Sequence, residues 1–391
     1  MGGCASIFVC SSKSTSQVNT LHRKPPSSGS QIPIKKPITS SSSEITSSKP
    51  KSLQPDRLSN LPDDILLHIL VCLNDTRYAV QTSVLSKRWK HLWTSLEDLN
   101  FCSKSFTQQS SFDNFVRAVL THQRRLNCRV DRFRYYAKLD TTMLTQLTSY
   151  ALSRGAREFI IAPPSYYETA ILPDLSPGSP TLKTLHLKEL CIRRSSFGHS
   201  MLGLTRLHLE SVLATSGSFG GCFDIFNIFP NLTNLSLIWC SLWGENLKIT
   251  GPKIVSLKLD NVRDVGQLDL SLPNLEVLEY YFFGASKKVN DFSSINLPSL
   301  RHADLDVDLR GFPTYGHRLL KPLQGIRNVE SLGINLKALK ASGLLENQTS
   351  PFRNLKSLKL RSGWPWSVPA TIMTYFISGT QYSQDMNIDF V

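Results

Sequence analysis

Residues able to perform bond chemistry do not assemble into a catalytic motif in this sequence. It contains no nucleophile elbow (G-x-S-x-G), no phosphate-binding loop, no H-E-x-x-H zinc motif and no dinucleotide-binding fingerprint. His186 and His208 fall one repeat apart in the pattern described below and could lie side by side, but two histidines lack the third ligand that a metal site requires. The sequence therefore predicts no catalytic residue, no metal and no cofactor.

The eight cysteines indicate the redox state of the protein's compartment, and the N-terminus carries a pattern for lipid modification. The cysteines are scattered without a C-x-x-C pair, which indicates a reducing compartment and not a disulfide framework. Met1 to Ser6 fits the pattern for myristoylation of Gly2, and Cys4 and Cys10 could be palmitoylated. Three interpretations stay open: a plain tail, an acylated anchor that needs two signals to hold a membrane, and a transit peptide, since nothing acidic precedes Glu44.

Composition narrows the class further. In 391 residues, 41% are hydrophobic, and no apolar run approaches the roughly 18–20 residues of a membrane span. The net charge is +14, but residues 1–57 hold eight Lys or Arg against two acidic residues and the remaining excess is spread thinly. There is no basic stripe with interleaved aromatics, so we expect no nucleic-acid partner. Residues 1–55, rich in Ser and Lys, are predicted to be disordered.

A short phrase, apolar-x-x-Leu-x-Leu, recurs through most of the chain. Successive copies start 21 to 29 residues apart, which is the spacing of leucine-rich repeats. Stacked repeats bury their leucines in one shared core, and the residues between the leucines point to the opposite face of the sheet. The copies start at Val130, Ala156, Leu182, Leu204, Leu232, Ile254, Leu275, Leu300, Val329 and Leu355.

Ahead of the repeats, the segment from Leu58 to Trp93 predicts three short helices. Pro62 suits a helix start, and Asp63 and Asp64 place negative charge at the positive end of the helix dipole. A further helix is predicted from Phe112 to Leu126 by its apolar spacing. So small a three-helix unit cannot bury its apolar residues alone and must lean on the rest of the chain.

This segment resembles an F-box, and its combination with the repeats resembles the plant-type F-box/leucine-rich-repeat proteins. The resemblance rests on Leu61-Pro62-Asp63-Asp64-Ile65-Leu66, Ile69-Leu70, Val84-Leu85-Ser86-Lys87-Arg88-Trp89 and Leu92-Trp93. It relates the chain to the F-box/FBD/LRR group, although no clear FBD module follows the repeats. The positions that match the family's adaptor-facing surface are Leu61, Pro62, Ile65, Leu66, Ile69, Val84, Leu85 and Trp89.

The resemblance implies an α/β fold: a three-helix F-box over residues 56–101, then a curved leucine-rich-repeat solenoid over 102–391 with a parallel sheet on its concave face. The repeats are clearest over 180–306 and irregular to 361. It also implies a non-catalytic substrate-recognition subunit of an SCF-type ubiquitin ligase. The F-box would bind a Skp-family adaptor, and through it cullin and RING subunits, in the nucleus or cytoplasm.

The substrate of such a subunit is an unknown protein that we expect to bind the polar face of the sheet. Our hypothesis is an acidic surface favouring a basic segment, with Lys258 and Glu279 as a cross-strand pair. Its residues are Lys258, Glu279, Tyr281, Asp304 and Asp306. The alternative is a protein-binding repeat scaffold without a ubiquitination role, with peripheral plasma-membrane association if Gly2 and Cys4 are acylated.

Overall fold

In the computed structural model, the residues described are 58, 60–164, 170–175, 180–198, 200–214, 217–243, 246–283, 292–308, 320–335, 345, 348–361, 368, 370–382 and 384–390. All of them belong to one compact unit that spans residues 56–391. The part of the chain so described combines helices near its N-terminus with parallel sheets, a mixed α/β fold.

Helices concentrate before the repeats. The α-helices are α1 Asp63–Cys72, α2 Thr76–Gln81, α3 Trp89–Leu92, α4 Gln109–Leu126, α5 Thr141–Ser153, α6 Ile225–Ile228, α7 Leu320–Gly325 and α8 Ala370–Ser378. Short 3₁₀ turns occupy Thr82–Val84, Trp93–Ser95, Ser103–Ser105 and Arg194–Phe197. The helix predicted from Phe112 is confirmed as α4, which ends where Asn127 adopts a left-handed conformation.

Strands follow in regular succession. They are β1 Asp98–Cys102, β2 Arg132–Tyr136, β3 Glu158–Ile161, β4 Ala170–Ile171, β5 Thr184–Lys188, β6 Leu190–Ile192, β7 Arg206–Glu210, β8 Leu213–Ala214, β9 Cys222–Asp224 and β10 Asn234–Ile238. They continue with β11 Ser241–Leu242, β12 Asn246–Thr250, β13 Ser256–Asp260, β14 Leu268–Ser271, β15 Val277–Phe283, β16 Phe292–Asn296, β17 His302–Asp308, β18 Ser331–Asn335, β19 Ser357–Arg361 and β20 Asn387–Phe390.

Twelve of these strands form one parallel sheet whose order follows the chain: β1-β2-β3-β5-β7-β10-β13-β15-β17-β18-β19-β20. Every predicted copy of the repeated phrase supplies one strand of this sheet. The return segments add two smaller four-stranded sheets, β11-β8-β6-β4 and β16-β14-β12-β9, which the phrase did not predict.

The large sheet extends beyond the predicted copies at both ends. β1 starts inside the segment assigned to the F-box, and Leu96-x-x-Leu99-x-Phe101 carries the same phrase. At the other end, Ile388 and Phe390 hold the second and third positions in β20, but the first position is the polar Asp385. That polar start is why the copy is not recognisable as a repeat.

One face of the sheet is core and the other is polar. Strands such as β5, β10 and β13 alternate between buried leucines and partly exposed polar residues. Near the N-terminus, rings take the place of leucines: Phe133 lies 5.7 Å from Phe101 and 5.8 Å from Phe159, centroid to centroid. This alternation is what brings polar side chains of successive repeats onto one surface.

Asparagine side chains tie each repeat to the one before it. Asn231, Asn274 and Asn328 each directly precede an apolar first position, and their Nδ2 atoms donate to backbone oxygens of the preceding repeat. For Asn274 and Asn328 the acceptors are the carbonyl oxygens of Pro252 and Pro298, at 2.6 and 2.9 Å. The prolines that introduce the repeats therefore also supply acceptors between repeats.

Candidate protein-binding surfaces

The N-terminal helices are held by capping and by one ion pair. The Asp75 carboxylate caps α2 by accepting from the amide of Arg77 at 2.8 Å. The Arg88 guanidinium, just before α3, pairs with Asp63 in the first turn of α1 and donates to the carbonyl oxygen of Leu61 at 2.6 Å. These contacts fix the start of α1 beside the start of α3.

Three of the predicted adaptor-facing residues expose large apolar side chains. Val84 is 88% exposed, Leu85 62% and Ile65 47%. Pro62 is also exposed, while Leu61 and Ile69 are partly buried against the core. Tyr78 and Leu58 add further exposed apolar side chains in this region of the sequence. Large apolar side chains exposed in this way are what a protein-binding surface would use, provided that they form one contiguous patch.

Leu66 and Trp89 do not fit the predicted surface. Leu66 has no exposed area and Trp89 is 4% exposed, since both belong to the hydrophobic core. The apolar stripe on α1 is broad, and the core takes Leu66 and Leu70 while Ile65 stays outside. These two predicted contacts are therefore corrected: Leu66 and Trp89 hold the helices together and are not available to a partner.

A row of polar side chains crosses the large sheet between the buried leucines. Strand pairing places its members side by side, in the order His186, His208, Ser236, Lys258, Glu279, Asp304, Gly333 and Lys359. A second row, two residues further along each strand, includes Lys188, Glu210, Ile238, Asp260, Tyr281 and Asp306. The five residues predicted to bind substrate all lie in these two rows.

The cross-strand pair predicted between Lys258 and Glu279 is present. The Lys258 Nζ lies 2.6 Å from Glu279 Oε2, and the two residues are register partners on β13 and β15. The same ammonium sits 5.1 Å from the centroid of the Tyr281 ring. A lysine held between a carboxylate and an aromatic face is oriented along the sheet surface.

Asp304 is the centre of a tighter network. Its carboxylate accepts from Tyr281 Oη at 2.9 Å and from two guanidinium nitrogens of Arg361, one of them at 2.6 Å. Burial acts to raise the pKa of Asp304, but the hydrogen bonds from Arg361 and Tyr281 outweigh it and hold that pKa below its usual range. Burial, and then the bond to Asp304, raise the pKa of Tyr281.

These contacts change the expected charge of the surface. Asp304 and Glu279 each face a cation from the chain itself, and Asp306 accepts a hydrogen bond from Asn335 Nδ2 at 2.7 Å. Arg361 is a partner of this surface that was not predicted from the sequence. Its position in the row was visible, but nothing local shows that it reaches across β18 to β17. The central surface is therefore a mixed-charge network and less acidic than predicted.

At the other end of the rows, His186, His208 and Glu210 come together. The histidines are register partners, and their rings meet edge to face with centroids 4.2 Å apart. Glu210 Oε2 lies 3.9 Å from His208 Nε2, and Glu210 Oε1 lies 2.6 Å from Lys188 Nζ. These three are the residues that could hold a metal ion in the described part of the chain, with ligand atoms within 4.8 Å of one another.

Their surroundings perturb two pKa values in this cluster. Burial, reinforced by the neighbouring His208, lowers the pKa of His186 to about 4. The interaction with His208 lowers the pKa of Glu210 to about 2, with Lys188 acting in the same direction against burial. The repeat spacing predicts that the two histidines lie side by side. The spacing also carries a signal for Glu210 that was overlooked, since this residue follows His208 by two positions and so shares its face of the strand.

The predicted acylation residues Gly2 and Cys4 lie outside the described residues. In the part of the chain that the structure describes, no helix combines the length and the apolar character needed to span a membrane. The described cysteines, from Cys72 to Cys240, are all free thiols.

Comparison with known proteins assigns the N-terminal helices to a family. Residues 58–101 match the family model of the F-box domain, and the chain therefore carries an F-box domain. It is 26% identical to F-box/LRR-repeat protein At5g38396 of Arabidopsis thaliana over an alignment that covers 79% of this chain and 73% of that protein. It is 27% identical to the putative F-box/FBD/LRR-repeat protein At4g03220 of the same plant, covering 79% and 69%.

A third relative, F-box/FBD/LRR-repeat protein At3g51530 of Arabidopsis thaliana, is 33% identical over 49% of this chain and 41% of its own length. The predicted resemblance to plant-type F-box/leucine-rich-repeat proteins is thereby confirmed. Proteins with an F-box are in general substrate adaptors of SCF ligases and are typically non-catalytic.

Proposed function

We propose that this protein is a substrate-recognition subunit of an SCF-type ubiquitin ligase. The observation that carries the proposal is the exposure of Ile65, Val84 and Leu85 on a domain that matches the F-box family. Leaving three large apolar side chains partly in water is unfavourable. Full burial of such a side chain contributes roughly 1.5–3 kcal/mol, and an adaptor would recover for each only the share that corresponds to its present exposure. The proposed partner of this surface is a Skp-family adaptor, through which cullin and RING subunits would join.

The repeats would hold the substrate. We infer that they curve into a solenoid with the large sheet on its concave face, which the sequential parallel order of twelve strands supports. The proposed substrate surface includes Lys258, Glu279, Tyr281, Asp304 and Asp306. Because Glu279 and Asp304 are already paired within the chain, selectivity for a basic segment would rest mainly on Asp306.

No bond chemistry is assigned to the chain itself. Binding adaptor and substrate at once would raise the effective concentration of a substrate lysine near the ligase's ubiquitin-carrying subunits. The chain would work in the nucleus or cytoplasm. Acylation of Gly2 and Cys4 would add a membrane-bound pool, which a Gly2→Ala variant should lose; an unchanged membrane fraction in that variant would exclude this role.

Co-purification tests the adaptor contact. The chain and a Skp-family adaptor are co-expressed, and the complex is isolated by size-exclusion chromatography. We expect a stable complex with the wild type and none with Ile65→Asp/Val84→Asp, which places charge on exposed positions and should leave the fold intact. Leu202→Asp is the matched control, since Leu202 is 62% exposed in the repeat region. A folded wild type that elutes alone would overturn the proposal.

A further inference from the structure

The cluster of His186, His208 and Glu210 has the composition of a metal centre that the proposed function does not use. Two imidazoles and one carboxylate are the ligand set of many three-ligand zinc sites. All three side chains project from adjacent strands, β5 and β7, and from the same face of the sheet. Positions on rigid strands hold ligands more reproducibly than positions on loops.

A second observation, independent of composition, concerns the histidine ring. The Nε2 atom of His186 is buried and finds no hydrogen-bond partner among the described residues. Buried polar atoms in folded proteins are nearly always paired, and each exception requires an explanation. The hydroxyl of Ser236, next to His208 in the same row, is likewise buried and unpaired within the described part of the chain. Two buried polar atoms without partners, one on each side of His208, indicate that this part of the row binds a ligand.

The separations suit a small ion after a modest adjustment of side-chain torsions. The candidate ligand atoms lie within 4.8 Å of one another, and His208 Nε2 is 3.9 Å from Glu210 Oε2. Zinc bonds to nitrogen and carboxylate oxygen of about 2.0–2.2 Å require ligand atoms somewhat closer together than this. The side chains are partly exposed, 32% for His208 and 29% for Glu210, so they have room to close.

Lys188 decides how strongly such an ion would be held. Its ammonium pairs with Glu210 Oε1, which leaves Oε2 directed toward His208. The pair orients the carboxylate as an outer partner of a metal ligand does, but its positive charge opposes a dication. This competition predicts that removing the lysine charge tightens binding.

We propose that His186, His208 and Glu210 form a binding site for one divalent ion of the zinc type on the polar face of the sheet. With three protein ligands, a tetrahedral ion keeps a fourth position for water or for a side chain of a bound protein. The proposal does not depend on the F-box, so it and the ligase function can fail separately.

The test titrates the purified, metal-free full chain with Zn²⁺ by calorimetry and with Co²⁺ by absorption spectroscopy. We expect one equivalent to bind at the cluster, with the visible bands of a four-coordinate Co²⁺ centre. His186→Ala/His208→Ala should lower the affinity by more than the roughly 10–100-fold typical of losing an outer partner. Glu210→Gln should also weaken binding, and Lys188→Gln should strengthen it several-fold.

Two controls keep the result specific. His302→Ala removes an exposed histidine on β17 and should change nothing. His68→Ala removes a histidine outside the cluster whose Nε2 lies 3.7 Å from Cys72 Sγ, a nitrogen–sulfur pair that could attract zinc, and it should leave the Co²⁺ bands unchanged. A folded wild type without bound metal would overturn the proposal. Equal affinity in the wild type and the double histidine variant would overturn it too, as adventitious binding only.

Discussion

Gly333 offers a sharp test of the network around Asp304. Arg361 on β19 reaches over β18 to Asp304 on β17, and Gly333 is the residue of β18 that lies between them. A Cβ added at Gly333 would lie 2.7 Å from Asp304 Oδ1 and 3.3 Å from an Arg361 guanidinium nitrogen. Gly333 has no positive φ, so its role is to leave room for the bridge and not to relieve the backbone.

The expected change in the free energy of unfolding follows from the contact that an alanine at position 333 would displace. The clashing atom ends a movable side chain, so Gly333→Ala should break the bridge without disrupting the strand. A charged hydrogen-bonded pair contributes about 1.5–3 kcal/mol when well ordered, and screening at this partly exposed site reduces that to about 1–2 kcal/mol. Replacing glycine by alanine returns about 0.4–1 kcal/mol through the unfolded state. The difference between these two ranges is a net loss of about 0–1.6 kcal/mol.

The assay is urea unfolding of four chains: wild type, Gly333→Ala, Arg361→Ala and the double variant. In the Arg361→Ala background no bridge remains to be displaced, so Gly333→Ala should become neutral or stabilising. This loss of the destabilising effect in the Arg361→Ala background is the signature of the mechanism. Equal destabilisation by Gly333→Ala in both backgrounds would refute it and would place the cost of the alanine in the strand itself.

Three further outcomes are expected from the same structure. Leu66→Ala should cost about 2–5 kcal/mol in the free energy of unfolding, whereas Val84→Ala should cost almost nothing; comparable losses by urea unfolding would contradict the burial assigned to them. Asn261→Ala should lower the free energy of unfolding by about 2–3 kcal/mol, because this buried residue has φ 50° and its Oδ1 accepts a hydrogen bond from a backbone amide at 2.8 Å. Asn261→Gly should lower it by less, since glycine adopts this φ without strain. An equal loss in both variants would argue against backbone strain. The depressed pKa of Asp304 adds stability at pH values above the unfolded value of about 3.9, and that stability is lost as the pH falls through the lower folded value. Arg361→Gln should flatten this part of the pH–stability curve, and a superimposable curve would remove Asp304 from the account.

Much of the fold was predictable because every repeat carries the same pattern of buried and polar positions. A strand that is buried on one face must alternate between apolar and polar residues. Leu257 and Leu259 therefore predict β13 and place Lys258 on the polar face. β20 was missed because Asp385 replaces the apolar start of the phrase. The small sheets were missed because two- to five-residue strands in the return segments leave too little pattern to recognise.

The surfaces were only partly predictable. Helical periodicity indicates an apolar stripe on α1, but it cannot tell that Leu66 faces the chain's own core while Ile65 faces outward. Likewise, the charges in the rows were readable, but the bridge from Arg361 to Asp304 skips a strand and depends on a glycine between them. A long side chain such as that of Arg361 can contact a residue two strands away, and sequence spacing does not show which of the residues within its range it contacts.

The most direct test of the central claim is the affinity of the full chain for a purified Skp-family adaptor, measured by isothermal titration calorimetry. The wild type is compared with Val84→Ala/Leu85→Ala, and Leu202→Ala serves as the control. If both exposed side chains are buried in the complex, their loss should weaken binding at least about 100-fold, while the control keeps the wild-type dissociation constant. No binding by the folded wild type, or equal binding by the double variant, would contradict the account.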